Sequence, residues 1–226
     1  MNDVVYFVKE GISNRELRYS LRSLRNFPHR KVWFYGGCPY YIHPDCHVKV
    51  MQPSRNKWLN VRWMIELACG NENISNDFWL FNDDFFIMQK VTQPEIYYNG
   101  SLRKRIQSLE DYYGYATKYS MQLRSCLKEL ERLSLNDKNF ELHTPFKVNK
   151  KKALDLLNIT AVGGFRSLYG NYYGIKAKPH SDVKITSLEQ LYHEGEYLST
   201  DNKSFGIGKV GYQIRKRFPD KCNYEK

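Results

Sequence analysis

The chain has no apolar run approaching the ~20 residues a membrane span requires, so none of its 226 residues suggests a transmembrane helix. A secretory leader is not expected either. Met1-Asn2-Asp3 runs directly into Val4-Val5-Tyr6-Phe7-Val8 with no basic segment ahead of it, as a leader would need. Cysteine is sparse and odd in number, with Cys38, Cys46, Cys69, Cys126 and Cys222 scattered along the chain. That spacing gives no disulfide framework, so reduced thiols and a cytoplasmic location are expected. His43, Cys46 and His47 cluster, but no second pair completes a zinc set. Internal repeats, low-complexity tracts and interdomain linkers are missing too, which leaves a single domain over 1–226.

What is present describes a globular protein with an excess of positive charge. Hydrophobic residues make up 42% and charged residues 26%, enough for a real core at this length. The net charge of +11 suits a polyanionic partner: nucleic acid, an anionic glycan or a membrane surface. Aromatics reach 15%, including 18 tyrosines, and such half-polar rings suit a groove for sugars or bases as well as an ordinary core.

Val4 to Val8 reads as a buried strand. Ser13 stands three residues before Glu16, the spacing of a capping box. Leu17, Leu21 and Leu24 give the following helix its buried stripe, while Arg15, Arg18, Arg22 and Arg25 occupy other faces. A solvated face is the ordinary fate of such arginines, although Arg18, near the helix start, is placed to reach a phosphate. Lys31 to Gly37 is a second strand, so residues 4–37 open as the βαβ unit of an α/β fold. His47 to Val50 is a third strand, and Val61, Met64, Ile65 and Ala68 mark the next helix.

A long helical stretch spans 101–133, with a break at Gly114 and a stripe of Leu102, Ile106, Leu109, Ala116, Leu123, Leu127 and Leu130. Its basic residues outnumber its acidic ones, so it reads either as an insertion that docks an acceptor or as an amphipathic helix packed on the sheet. Glu141 to Phe146 is extended ahead of Pro145, and Lys150 to Leu157 is a short basic helix. Gly163 to Asn171 is glycine-punctuated, as a turn around a ligand would be, and a basic tail follows at Arg215-Lys216-Arg217.

The stretch that organises the chain is Phe78-Trp79-Leu80-Phe81-Asn82-Asp83-Asp84-Phe85-Phe86-Ile87-Met88. Its apolar run reads as a strand buried on both faces. Two adjacent carboxylates at the end of such a strand are costly unless water, a metal or a cation reaches them. That edge of an open α/β sheet is also where ligands bind. Carboxylate-held Mg²⁺ or Mn²⁺ there would neutralise a nucleotide diphosphate. The competing reading is a plain Asn-Asp surface turn.

Several blocks occur in a telling order. They are Val4-Val5-Tyr6, Asn14-Arg15-Glu16-Leu17-Arg18-Tyr19-Ser20-Leu21-Arg22-Ser23-Leu24, Phe81-Asn82-Asp83-Asp84-Phe85-Phe86, His143 ahead of a proline, Phe165-Arg166-Ser167, Asp201-Asn202, and Arg217 to Glu225. Together they resemble the Stealth family of sugar-1-phosphate transferases, which includes bacterial capsular-polysaccharide phosphotransferases. Compact phage-encoded glycosyltransferase-like proteins are similar too. The likeness touches nearly the whole chain as spaced blocks. Two features depart from it: Lys9-Glu10 stands where the family has an aspartate after the first strand, and the basic tyrosine-rich helix replaces the usual connecting material.

The resemblance implies an α/β, GT-A-like nucleotide-diphosphosugar transferase fold with a mixed central sheet and a helical insertion. Residues 1–100 would bind the nucleotide sugar, 101–133 would be the insertion, and 134–226 the catalytic and acceptor half. The implied reaction moves a sugar-1-phosphate from a UDP-sugar to a hydroxyl of an anionic polymer, either modified DNA or polysaccharide. Asp83, Asp84 and Asp201 would hold a divalent metal, Mg²⁺ or Mn²⁺. Arg18, Asn82, Arg166 and Asn202 would hold the donor. Asp84, His143 and Arg166 would carry the chemistry, with His143 as general acid/base and Arg166 as diphosphate clamp. The alternatives are a conventional metal-dependent glycosyltransferase that releases UDP and a nucleic-acid-binding module without chemistry.

Overall fold

The computed structural model describes residues 1–11, 13–54 and 56–226. The chain begins with β1 (Asp3–Val8), α1 (Arg15–Ser23), β2 (Val32–Gly36), β3 (Cys46–Val48), α2 (Lys57–Gly70), β4 (Asp77–Phe81) and β5 (Phe85–Ile87). The middle contributes β6 (Tyr97–Tyr98), α3 (Leu102–Tyr113), α4 (Lys118–Arg132), β7 (Phe146–Asn149) and α5 (Lys150–Ile159). The last third adds α6 (Phe165–Tyr172), β8 (Lys178–Pro179), β9 (Lys184–Ile185), β10 (Tyr197–Thr200), α7 (Asn202–Ile207) and α8 (Lys209–Arg217). This is a mixed α/β fold.

The central sheet runs β3-β2-β1-β4-β7. Its first four strands are parallel, and β7 joins β4 antiparallel. β1 and β2 are apolar on both faces because each face is covered. One core lies against α2, α4 and α5 and includes Val5, Tyr35, Met64 and Leu156. The other lies against α1 and includes Tyr6, Leu17, Leu21 and Phe34. A three-stranded sheet, β5-β10-β9, extends beyond β4 and packs on α7 and α8 through Phe86, Phe205, Val210 and Ile214.

This topology brings distant segments to one edge. β1 and β4 are parallel, so Lys9 and Asn82 to Asp84 emerge at the same end of the sheet. β7 runs the other way, with Leu80 opposite Phe146, so residues 143–145 enter at that end too. Phe85 pairs with Ser199, and Ser199 with Lys184, which sets β10 and β9 beside Asp84.

Four local expectations are corrected. The N-cap of α1 is Asn14, whose Oδ1 accepts from the Leu17 N–H at 3.0 Å; Glu16 is buried instead of closing a capping box with Ser13. Arg22 is not on a solvated face: it is 7% exposed and donates to both carboxylate oxygens of Glu225 at 2.6 and 2.9 Å. Ala116 lies in an exposed turn outside the stripe, because Gly114, at φ +72°, ends α3 in the left-handed region that glycine tolerates best. Residues 165–172 form a helix, and only Gly163 and Gly164 make the turn.

All five cysteines are free. No described helix is long and apolar enough to cross a membrane.

Candidate functional site

A cavity of about 920 Å³ opens at the carboxyl end of the parallel strands. Asn82 and Asp83 from the β4–β5 turn, His143 and Arg166 line it together with Lys9 and Trp58. A strand order that folds back at β1 leaves a crevice at this place in open α/β sheets.

Asp83 is tied to the start of α1. Its Oδ2 accepts from Asn14 Nδ2 at 2.5 Å, so Asn14 caps the helix with one side-chain atom and holds the carboxylate with the other. Burial, and then the neighbouring Asp84, push the Asp83 carboxyl above its ordinary value. Asp84 Oδ2 accepts from Lys184 Nζ at 2.9 Å and from Ser199 Oγ at 3.2 Å. Its Oδ1 is buried and has no hydrogen-bond partner among the described residues. A buried carboxylate oxygen left bare is expensive.

A third carboxylate stands close by. Glu16 is 7% exposed and accepts from Thr200 Oγ1 at 2.6 Å. Burial raises its carboxyl to about 7; Thr200 opposes the shift, while Asp84 and Asp83 reinforce it. Three carboxyls therefore share one ammonium, that of Lys184. The bare oxygen of Asp84 and the excess of negative charge around it are features that hard cations bind. Among the described residues no three acidic, His or Cys side chains come close enough together to hold a metal ion.

His143 also lines the cavity. Its Nδ1 lies 3.0 Å from both oxygens of Asp182, and its backbone N–H donates to Asp182 Oδ1 at 3.2 Å. Burial works to raise the Asp182 carboxyl, but the hydrogen bonds and charge of His143, with help from Arg105 on α3, hold it below its ordinary value. An ionised carboxylate on Nδ1 fixes the ring and leaves Nε2 to exchange a proton.

Arg166 is 7% exposed and joins the two sides. Its Nη1 donates to the carbonyls of Leu142 and Thr144, at 2.6 and 3.0 Å, on either side of His143. Its Nη2 donates to Asn82 Oδ1 at 3.2 Å, and the guanidinium lies 5.3 Å from the centroid of the Phe85 ring. Gly164 precedes α6 at φ +84°, and a Cβ there would fall 2.8 Å from Cys126 Sγ. Glycine is thus what lets the Arg166 helix begin against α4.

Asn82, Asp83, Asp84, His143 and Arg166 are therefore brought together. The other three expected site residues lie elsewhere. Arg18 is 3.3 Å from Glu225 and sits over the Tyr41 ring at 4.3 Å. Asp201 caps α7, accepting from the Ser204 N–H at 2.7 Å, and Asn202 is exposed in the first turn of that helix.

Glu16, Lys184 and Asp182 are functional candidates that sequence reasoning missed. Only Glu16 carried a signal, as the one acid in the first turn of an otherwise basic helix. His43, Cys46 and His47 do not gather as a metal set among the described residues, and His47 Nε2 instead lies 2.9 Å from the Gly36 carbonyl. Neither a protein-family model nor a curated protein matches the chain in sequence comparisons.

Proposed function

We propose that the chain is a nucleotide-sugar-dependent transferase of GT-A type that moves a sugar-1-phosphate from a UDP-sugar to a hydroxyl of an anionic polymer. The observation that carries this reading is one cavity lined by Asp83, His143 and Arg166, with Asp84 next to Asp83 in the chain and Asp182 on the His143 ring. The parallel strands with an antiparallel neighbour at β7 support the fold assignment, and the blocks resembling the Stealth family support the chemistry. The five free cysteines support a cytoplasmic setting.

Asp83 and Asp84 would hold Mg²⁺ or Mn²⁺, with Glu16 at hand. The ion would supply positive charge against the donor diphosphate. Lys9 and Lys57, both at the cavity wall, add cations for the same phosphates. In the transfer, an acceptor oxygen forms a bond to the phosphorus that bears the sugar. The bond from that phosphorus to the bridging oxygen breaks, and UMP leaves. His143 Nε2 takes the hydroxyl proton, while Asp182 holds the imidazole in place and stabilises it when charged. Arg166 positions His143 through its flanking carbonyls and offers its remaining N–H groups to the cavity. Such a reaction asks for positioning and charge more than covalent help.

A donor labelled at its β-phosphorus tests the reading. The label passes to the polymer in sugar-1-phosphate transfer. In conventional glycosyl transfer it stays with the nucleotide, because the anomeric carbon is attacked and UDP leaves.

A further inference from the structure

A second face of the molecule carries side chains that the cavity does not use. Leu191, Ile207 and Tyr212 are 39%, 74% and 64% exposed. They border an open groove of about 780 Å³, floored by Met88 and Tyr192, that shares no residue with the cavity. Met88 follows β5 and Asp84 precedes it, so the groove and the site lie at opposite ends of one short strand.

Lys209, Arg215, Lys216 and Arg217 also line the groove, and no aspartate or glutamate does. Lys209 pairs with Glu189 at 2.5 Å, and Arg215 is turned onto the ring and carbonyl of Phe205. Lys216 and Arg217 have no ion-pair partner among the described residues. Basic residues in a last helical turn complement the helix dipole, but that effect leaves the exposed aliphatics unexplained.

A polyanion in water uses cations and flat rings, and Tyr192 and Tyr212 supply rings here. It gains nothing from an isoleucine and a leucine held out in solvent. Aliphatic side chains beside uncompensated cations match the interfacial layer of an anionic bilayer, which takes both. We propose that the α7–α8 face docks peripherally on an anionic membrane surface. Leu191, Ile207 and Tyr212 enter the headgroup layer, and Lys216 and Arg217 take lipid phosphates. This inference does not rest on the transferase reading, and its readout is binding alone.

The test is sedimentation of the full chain with vesicles of phosphatidylcholine, with and without one-third phosphatidylglycerol, repeated with single-stranded DNA as competitor. Binding is expected only with the anionic lipid. The Ile207→Ser/Tyr212→Ser double variant should weaken it about tenfold. The Lys216→Gln/Arg217→Gln variant should weaken it about fivefold for each charge removed. All four side chains are surface groups, and melting temperatures equal to the parent's would verify the fold. Absence of binding to anionic vesicles overturns the proposal. So does binding that the apolar variant leaves unchanged and single-stranded DNA displaces, which would mark a polyanion groove.

Discussion

Arg166 Nη2 lies 3.2 Å from Asn82 Oδ1, and this contact joins the aspartate turn to the histidine segment. The same guanidinium holds the carbonyls before and after His143, so the distance between the two walls of the site depends on one planar fork. Arg166→Lys keeps the charge and loses the fork. A single ammonium cannot stand at both the Nη1 and Nη2 positions, so either the two carbonyls or Asn82 Oδ1 lose their donor, at a cost of about 1–3 kcal/mol. Urea denaturation should show that loss of stability, with turnover reduced more than donor affinity.

Asp182→Asn tests the histidine pair. The amide fits the same space but cannot stabilise a charged imidazole. Turnover should fall about 10²–10⁴-fold while the melting temperature and donor binding change little. An unchanged rate would remove His143 from the role of base.

Glu16 gives a pH test. Its folded-state pKa of about 7 lies above the ordinary 4.5, so between those values the native chain binds more protons than the unfolded one. Stability from this group therefore falls as pH rises through that window. Glu16→Gln should flatten the decline measured by urea denaturation in EDTA at pH 5 and pH 8, and the variant should gain on the parent at the higher pH.

Much of the fold was legible because local pattern and tertiary burial agree. The Leu17, Leu21 and Leu24 stripe is buried as spaced, and the apolar run before Asn82 is an interior strand. Asp83 and Asp84 stood out because carboxylates rarely interrupt such a run. The rest of the site was hidden by separation along the chain. Asp182 meets His143 across 39 residues, Lys184 meets Asp84 across 100, and Thr200 meets Glu16 across 184. Only the folded arrangement of strands, helix α1 and the connecting loops creates those meetings. Asp201 entered the expected metal set only through the family resemblance; its own residues read as a turn, and it caps α7.

The bare Oδ1 of Asp84 leads to a metal prediction. Millimolar Mn²⁺ or Mg²⁺ should raise the melting temperature of the native chain, since binding to the folded state alone stabilises by mass action. Asp84→Ala should abolish the rise. A rise that survives in Asp84→Ala would move the cation elsewhere.

The central claim is tested most directly by incubating the chain with Mn²⁺ and a panel of UDP-sugars and measuring UMP and UDP separately. Slow hydrolysis of the donor makes a known acceptor unnecessary. UMP release that disappears in Asp84→Ala and in His143→Ala is the expected result. Release of UDP in its place, or of neither nucleotide with any sugar, would contradict the claim.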